Sequence, residues 1–113
     1  MTDRELLEFA AKAAGIELQW HKSALTREAM PTPTYYTPEC GNVFWNPLDD
    51  DGDALRLAVK RGFHVSIDRN ESTRILDEFD GVILVHMHFE CGPEVATRRA
   101  IVRAAAEIGK ALP

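Results

Sequence analysis

The chain has 113 residues, 45% of them apolar and 27% charged, with thirteen Lys and Arg against eighteen Asp and Glu for a net charge of −5. That length suits one domain, residues 1–113, and the composition is that of a folded chain rather than a disordered one. The acidic balance argues against a sequence-independent grip on phosphate backbones, no apolar run approaches the ~20 residues of a membrane span, and two cysteines, Cys40 and Cys91, are too few for a disulfide-built secreted scaffold.

The start, MTDRELLEFA, is charged and helical in pattern, which is unlike a signal peptide, and the low cysteine count fits a reducing cytoplasm. Thr2 and Glu5 have the spacing of a capping box, and Leu6, Phe9, Ala10 and Ala13 form one apolar stripe of a helix. Gly15 suits the left-handed position just past its end, with Ile16 packing back. Ile16, Leu18 and Trp20 then alternate with Glu17, Gln19 and His21, which predicts a half-buried edge strand over 16–21.

Residues 22–48 contain Pro31, Pro33, Pro38 and Pro47, so no long element fits. A connection of this length is functional or holds short strands of its own, and Val43 to Trp45 is one candidate. Tyr35, Tyr36 and Trp45 lie within it. Aromatic rings in a long loop are what protein interfaces favour, so these three are the candidate partner-binding residues, although capping the core edge would explain them equally.

Asp49, Asp50, Asp51 and Asp53 crowd the start of the next helix, where the dipole favours anions, and Lys60, Arg61 and Gly62 close it. The same acids do not fit a calcium loop. With Asp49 as position one, the glycine position holds Ala54 and the bidentate-glutamate position holds Lys60. Phe63, Val65 and Ile67 alternate with His64, Ser66 and Asp68, a second strand. Residues 70–80 are charged, with Ile75, Leu76 and Phe79 at helical spacing, and predict a loop or one to two helical turns. The run VILVHMHF, residues 82–89, predicts a strand buried on both faces. Gly92-Pro93 then starts a last helix reaching about Leu112.

A strand without a wet face needs cover on both sides. The expected fold is therefore α/β, a three-layer alpha-beta-alpha sandwich of a small mixed sheet flanked by about three helices. An open two-layer α+β fold with all helices on one face is the alternative.

Residues 45–62, WNPLDDDGDALRLAVKRG, and 94–112, EVATRRAIVRAAAEIGKAL, resemble segments of small uncharacterised proteins of tailed phages and prophages, of the phage alpha-beta-alpha sandwich type. The resemblance directly covers about a third of the chain. It implies the three-layer fold and a bacterial cytoplasmic protein expressed from phage genes, and it implies no activity, catalytic residue or cofactor.

Two further constellations carry chemistry. If strand 63–69 pairs with strand 82–89, so that Phe63, Val65 and Ile67 lie opposite Met87, Val85 and Ile83, then His64 faces His86 and shares a face with His88. Three converging imidazoles would hold a metal with an open position, for binding or metal-dependent hydrolysis; half-buried neutral histidines are the structural alternative. Residues 92–113 carry Arg98, Arg99, Arg103 and Lys110 against Glu94 and Glu107, so the last helix is a candidate nucleic-acid face, or simply a solvated one with a Glu94–Arg98 pair. Cys91, at the entry to that helix, is a small packing residue or a thiol made reactive by the helix N-terminus. No phosphate-binding glycine loop and no GxSxG is present.

The expected function is a non-enzymatic interaction module binding a host or phage macromolecule, with a protein partner. The chain is expected to be a monomer or a weak homodimer, any dimer pairing through strand 16–21 with Gln19 and Trp45 in the contact.

Overall fold

The computed structural model describes residues 1–21, 32–77 and 81–113. The elements in chain order are α1 (Asp3–Ala13), β1 (Gln19–His21), β2 (Thr32–Thr37), β3 (Gly41–Phe44), α2 (Asp51–Arg61), β4 (His64–Asp68), β5 (Ser72–Leu76), β6 (Val82–Met87), a single 3₁₀ turn (His88–Glu90) and α3 (Pro93–Ala111). Residues 22–31 of the expected connection 22–48, with Pro31, and Phe79 lie outside the described residues.

Local signals set the helix ends. Thr2 Oγ1 accepts from the Glu5 N–H while the Glu5 carboxylate accepts from the Thr2 N–H, the reciprocal box the spacing predicts. After α1, the Ile16 N–H reaches the Ala11 carbonyl at 2.8 Å, a closure that needs the left-handed backbone of Gly15 at φ 71°. Asp50 caps α2 by accepting from the Asp53 N–H at 2.7 Å. Pro93 sits in the first turn of α3, where its missing N–H costs nothing.

The strands form two separate antiparallel sheets, β1-β2-β3 and β4-β5-β6, so the protein is a mixed α+β structure. One small mixed sheet was expected. The difference traces to β5, a strand where the spacing of Ile75, Leu76 and Phe79 predicts loop or helix. Its signal is period two rather than 3.6: Thr73 and Ile75, both β-branched and both fully buried, point inward, while Arg74 points to water. The Asn70 and Glu71 N–H groups both turn back onto Asp68, so β4 and β5 make a tight hairpin, with Val65 paired to Ile75 and Ile67 to Thr73.

β5 is therefore the central strand and β6 an edge strand, paired with β5 through Thr73–His86, Arg74–Val85 and Ser72–Met87. The continuous apolar run 82–89 predicts burial on both faces. Instead Val82, Val85 and Met87 are exposed, and His88 and Phe89 leave the strand for the 3₁₀ turn.

α3 is the hub of the packing. It lies most closely against α1 and also against α2, β5 and β6. Being surrounded, it is buried on nearly every side, and most of its buried residues are small: Ala96, Ala100, Ala104, Ala105, Ala106 and Gly109, with Ile101 and Val102. Small side chains let neighbouring backbones approach closely, and Gly109 meets the Phe9 carbonyl of α1 directly. β1 is tied to α1 by Arg4, whose guanidinium lies 4.6 Å from the centre of the Trp20 ring. Among the described residues, no helix is long and apolar enough to cross a membrane.

Candidate functional site

The proline- and aromatic-rich segment folds back on itself. β2 and β3 pair through Tyr35–Val43 and Tyr36–Asn42, and the Trp45 N–H continues the ladder by donating to the Pro33 carbonyl at 3.1 Å. Asn46 then makes the turn into α2. Its side-chain oxygen accepts from the Leu48 N–H, and its own N–H donates to Asp53 Oδ2 at 2.9 Å. These bonds hold β3 and the start of α2 in a fixed relation, with Trp45 between them.

A cavity of about 470 Å³ lies where the ends of α1 and α2 meet the β1-β2-β3 sheet. Trp45, Tyr35 and Tyr36 all line it, together with Leu57, Arg56 and Lys60 of α2, Gln19 of β1 and Glu17 just before that strand. The three residues play different parts, since Tyr35 and Tyr36 are successive on β2 and project to opposite faces of the strand. Trp45 is only 3% exposed and belongs to the core, so it forms the floor and is not a freely presented contact ring. Tyr35 is half-buried, and Tyr36, 65% exposed, stands at the rim. Arg56 is held by Asp53 at 2.6 Å and by Asp50 at 3.8 Å. The hydrogen bond it donates to Asp53, first of all, raises the guanidinium pKa further above its ordinary value, so the charge is permanent. Lys60, exposed on the next turn, adds a second cation, and Glu17 is the carboxylate of the lining. An apolar floor with polar walls, in which Arg56 is already paired with Asp53 and Asp50 while Lys60 and Glu17 carry opposite charges, suits one side chain or chain end carrying both characters.

The histidines do not converge. His64 pairs with Leu76, which pairs with Val82, on the outer face at one end of the sheet. His86 pairs with Thr73 at the other end, on the inner face under α3. β5, unread in the sequence, lies between the two strands. His88 is buried in the turn, and among the described residues no group of three or more His, Cys, Asp or Glu could hold a metal ion.

Both inner histidines are hydrogen-bonded within the fold. His88 Nδ1 donates to the Arg69 carbonyl at 3.1 Å, which leaves Nε2 to accept from Thr73 Oγ1 at 2.8 Å. Thr73 in turn lies 2.8 Å from Thr97 Oγ1 of α3, closing a chain of side chains from the turn to the last helix. Neither threonine stands out in the sequence; the β-branched pair Thr73 and Ile75 at period two is the available signal. His86 Nδ1 accepts from Arg103 at 2.9 Å, and Cys91 Sγ lies 3.9 Å from its Nε2.

The three arginines of the candidate nucleic-acid face are likewise engaged within the protein. Arg98 donates to the Leu48 carbonyl at 2.9 Å and to Asp51 at 2.6 Å, rather than pairing with Glu94. Arg99 donates to Asp3 at 3.1 Å and Arg103 to His86. The acidic run has similar duties: Asp50 caps, Asp51 and Asp53 pair with arginines, and Asp49 accepts from Asn46 Nδ2.

A second groove, about 530 Å³, runs between α2, β4 and the first turns of α3 and is lined by Leu55, Val65, Ile67 and Ile101 among others. Its rim residues Asp51 and Arg98 already neutralise each other. No known protein family, no characterised protein and no solved structure matches the chain.

Proposed function

We propose that the chain is a non-enzymatic interaction module that receives a side chain or chain end of a protein partner in the cavity floored by Trp45. The observation that carries this reading is the convergence of Tyr35, Tyr36 and Trp45 with Arg56 and Lys60 on one cavity of about 470 Å³. Rigid aromatics supply contact area at low entropic cost, and Lys60, the lining cation beside the already paired Arg56, favours an acidic or carboxyl-bearing group on the occupant. The bacterial cytoplasm, and a phage or prophage as the source, are supported by the resemblance of residues 45–62 and 94–112. The three-layer sandwich that resemblance implies would require a covering body on the outer face of the β4-β5-β6 sheet, where Val82, Val85 and Met87 are exposed.

The test is affinity capture from bacterial lysates, with and without phage infection. Wild-type protein is compared with Tyr36→Ala combined with Lys60→Glu, both folded by circular dichroism. A partner retained by wild type and lost with the double variant is expected. An identical captured set for the two proteins, or none from either lysate, would count against the reading.

A further inference from the structure

We infer that β6 is a pairing edge for a second copy of this chain. β6, Val82–Met87, closes the β4-β5-β6 sheet, and among the described residues its strand partner is β5. The N–H and C=O groups along its other side are thus a template for a further strand. Edge strands that stay alone carry charges, prolines or bulges along their free side. VILVHM has no charged residue and no proline, and its one irregularity falls at its start, opposite Ile75 and Leu76. β4, the opposite edge, shows His64, Ser66 and Asp68 on its outer face.

The outer face of the sheet is graded in the same direction. It is polar on β4 and at Ser72 and Arg74 of β5, then apolar on β6, where Val82 is 55%, Val85 47% and Met87 41% exposed. Phe89, just past the strand, is 80% exposed. An apolar stripe that ends at an open, uncharged edge fits a neighbour that continues both the ladder and the stripe.

A second copy meets both requirements. Antiparallel pairing about a two-fold axis at Val85 sets Val85 opposite Val85 of the second copy, outer face with outer face, while Met87 falls opposite Ile83, which packs against the core, and so extends the apolar stripe beside Val85 without an outer-face partner of its own. Because β6 is uncharged, this register opposes no like charges, which matters for a chain of net charge −5. β1, the edge expected from the sequence to pair, spans three residues and provides a shorter ladder. The exposed side chains and strand edge amount to roughly 500 Å² per copy, about 1,000 Å² in total, below the ~1,200–2,000 Å² of stable interfaces. The dimer is therefore weak, a monomer at about 10 μM and associated near 1 mM.

Sedimentation equilibrium over that range reads the weight-average mass, expected to rise from 12.7 kDa toward twice that value. Val85→Lys should weaken association at least tenfold, and Val59→Lys, on the exposed side of α2, should leave it unchanged. Amide exchange in residues 82–87 of the wild-type chain should slow with concentration, a readout independent of any variant's folding. A mass fixed at 12.7 kDa near 1 mM, or β6 exchange rates independent of concentration, would overturn the inference.

Discussion

Replacing Gly109 by alanine tests the packing on which the whole helical side depends. Gly109 is buried near the end of α3, where α1 crosses it. A methyl group there would fall on the Phe9 carbonyl oxygen and lie 2.7 Å from its carbon. Carbon atoms in contact sit ~3.5–4.0 Å apart and the oxygen is nearer still, so α1 would have to withdraw by more than roughly 1 Å. The obstacle is backbone, which has no rotamer to swing aside. Overpacking of this kind costs about 1–3 kcal/mol or more, against a helix-propensity gain of about 1 kcal/mol or less this close to the helix end. We expect a net loss near 2 kcal/mol and a fall in Tm of about 10 °C. Urea unfolding followed by circular dichroism measures it, with Glu107→Ala on the exposed side of the same helix as control. If Gly109→Ala were as stable as wild type, the close α1–α3 approach would be refuted.

Ile75→Ala, at a fully buried position of the central strand, should cost about 2–4 kcal/mol in the same urea assay. Thr73→Val keeps the shape but leaves His88 Nε2 without its donor and should cost about 1–3 kcal/mol, while Thr97→Val, at a half-buried site, should cost less. The Thr2 backbone N–H, and next its hydroxyl, hold the Glu5 carboxyl below its ordinary 4.5, so the capping box stabilises α1 above that pH and fades as pH falls through the folded-state value. Glu5→Gln should therefore flatten the acid side of the stability profile, read as urea midpoints between about pH 3 and 7. Zinc titrations of wild type and His64→Ala should coincide, because His64 lies at the far end and on the other face of the sheet from His86.

What could be read from the sequence was what is local in it. Thr2 and Glu5, Gly15, Gly62 and Pro93 mark helix ends through bonds spanning a few residues, and all stand where their spacing places them. β5 was hidden because its outward residues are polar and its flanks charged, so alternation survives over only Thr73, Arg74 and Ile75. Missing that strand moved β6 from an expected centre to an edge and separated His64 from His86. The aromatic set was visible, but its division into a buried floor at Trp45 and an exposed rim at Tyr36 depends on the docking of α2. For the same reason Arg56 and Lys60, which look like ordinary helix-surface cations, could not be assigned to the cavity. Side-chain bonds across the fold, from Arg98 to Asp51 and from Arg103 to His86, explain why the arginines of α3 do not form a free basic face.

The most direct measurement is site-specific photo-crosslinking in phage-infected cells, with a photoreactive phenylalanine analogue in place of Tyr36 and, separately, in place of Glu107 on the exposed side of α3. If the Trp45 cavity receives a protein partner, position 36 yields one discrete adduct that is absent from position 107 and lost when Lys60→Glu is added. No adduct at position 36, or the same adducts from both positions, would contradict it.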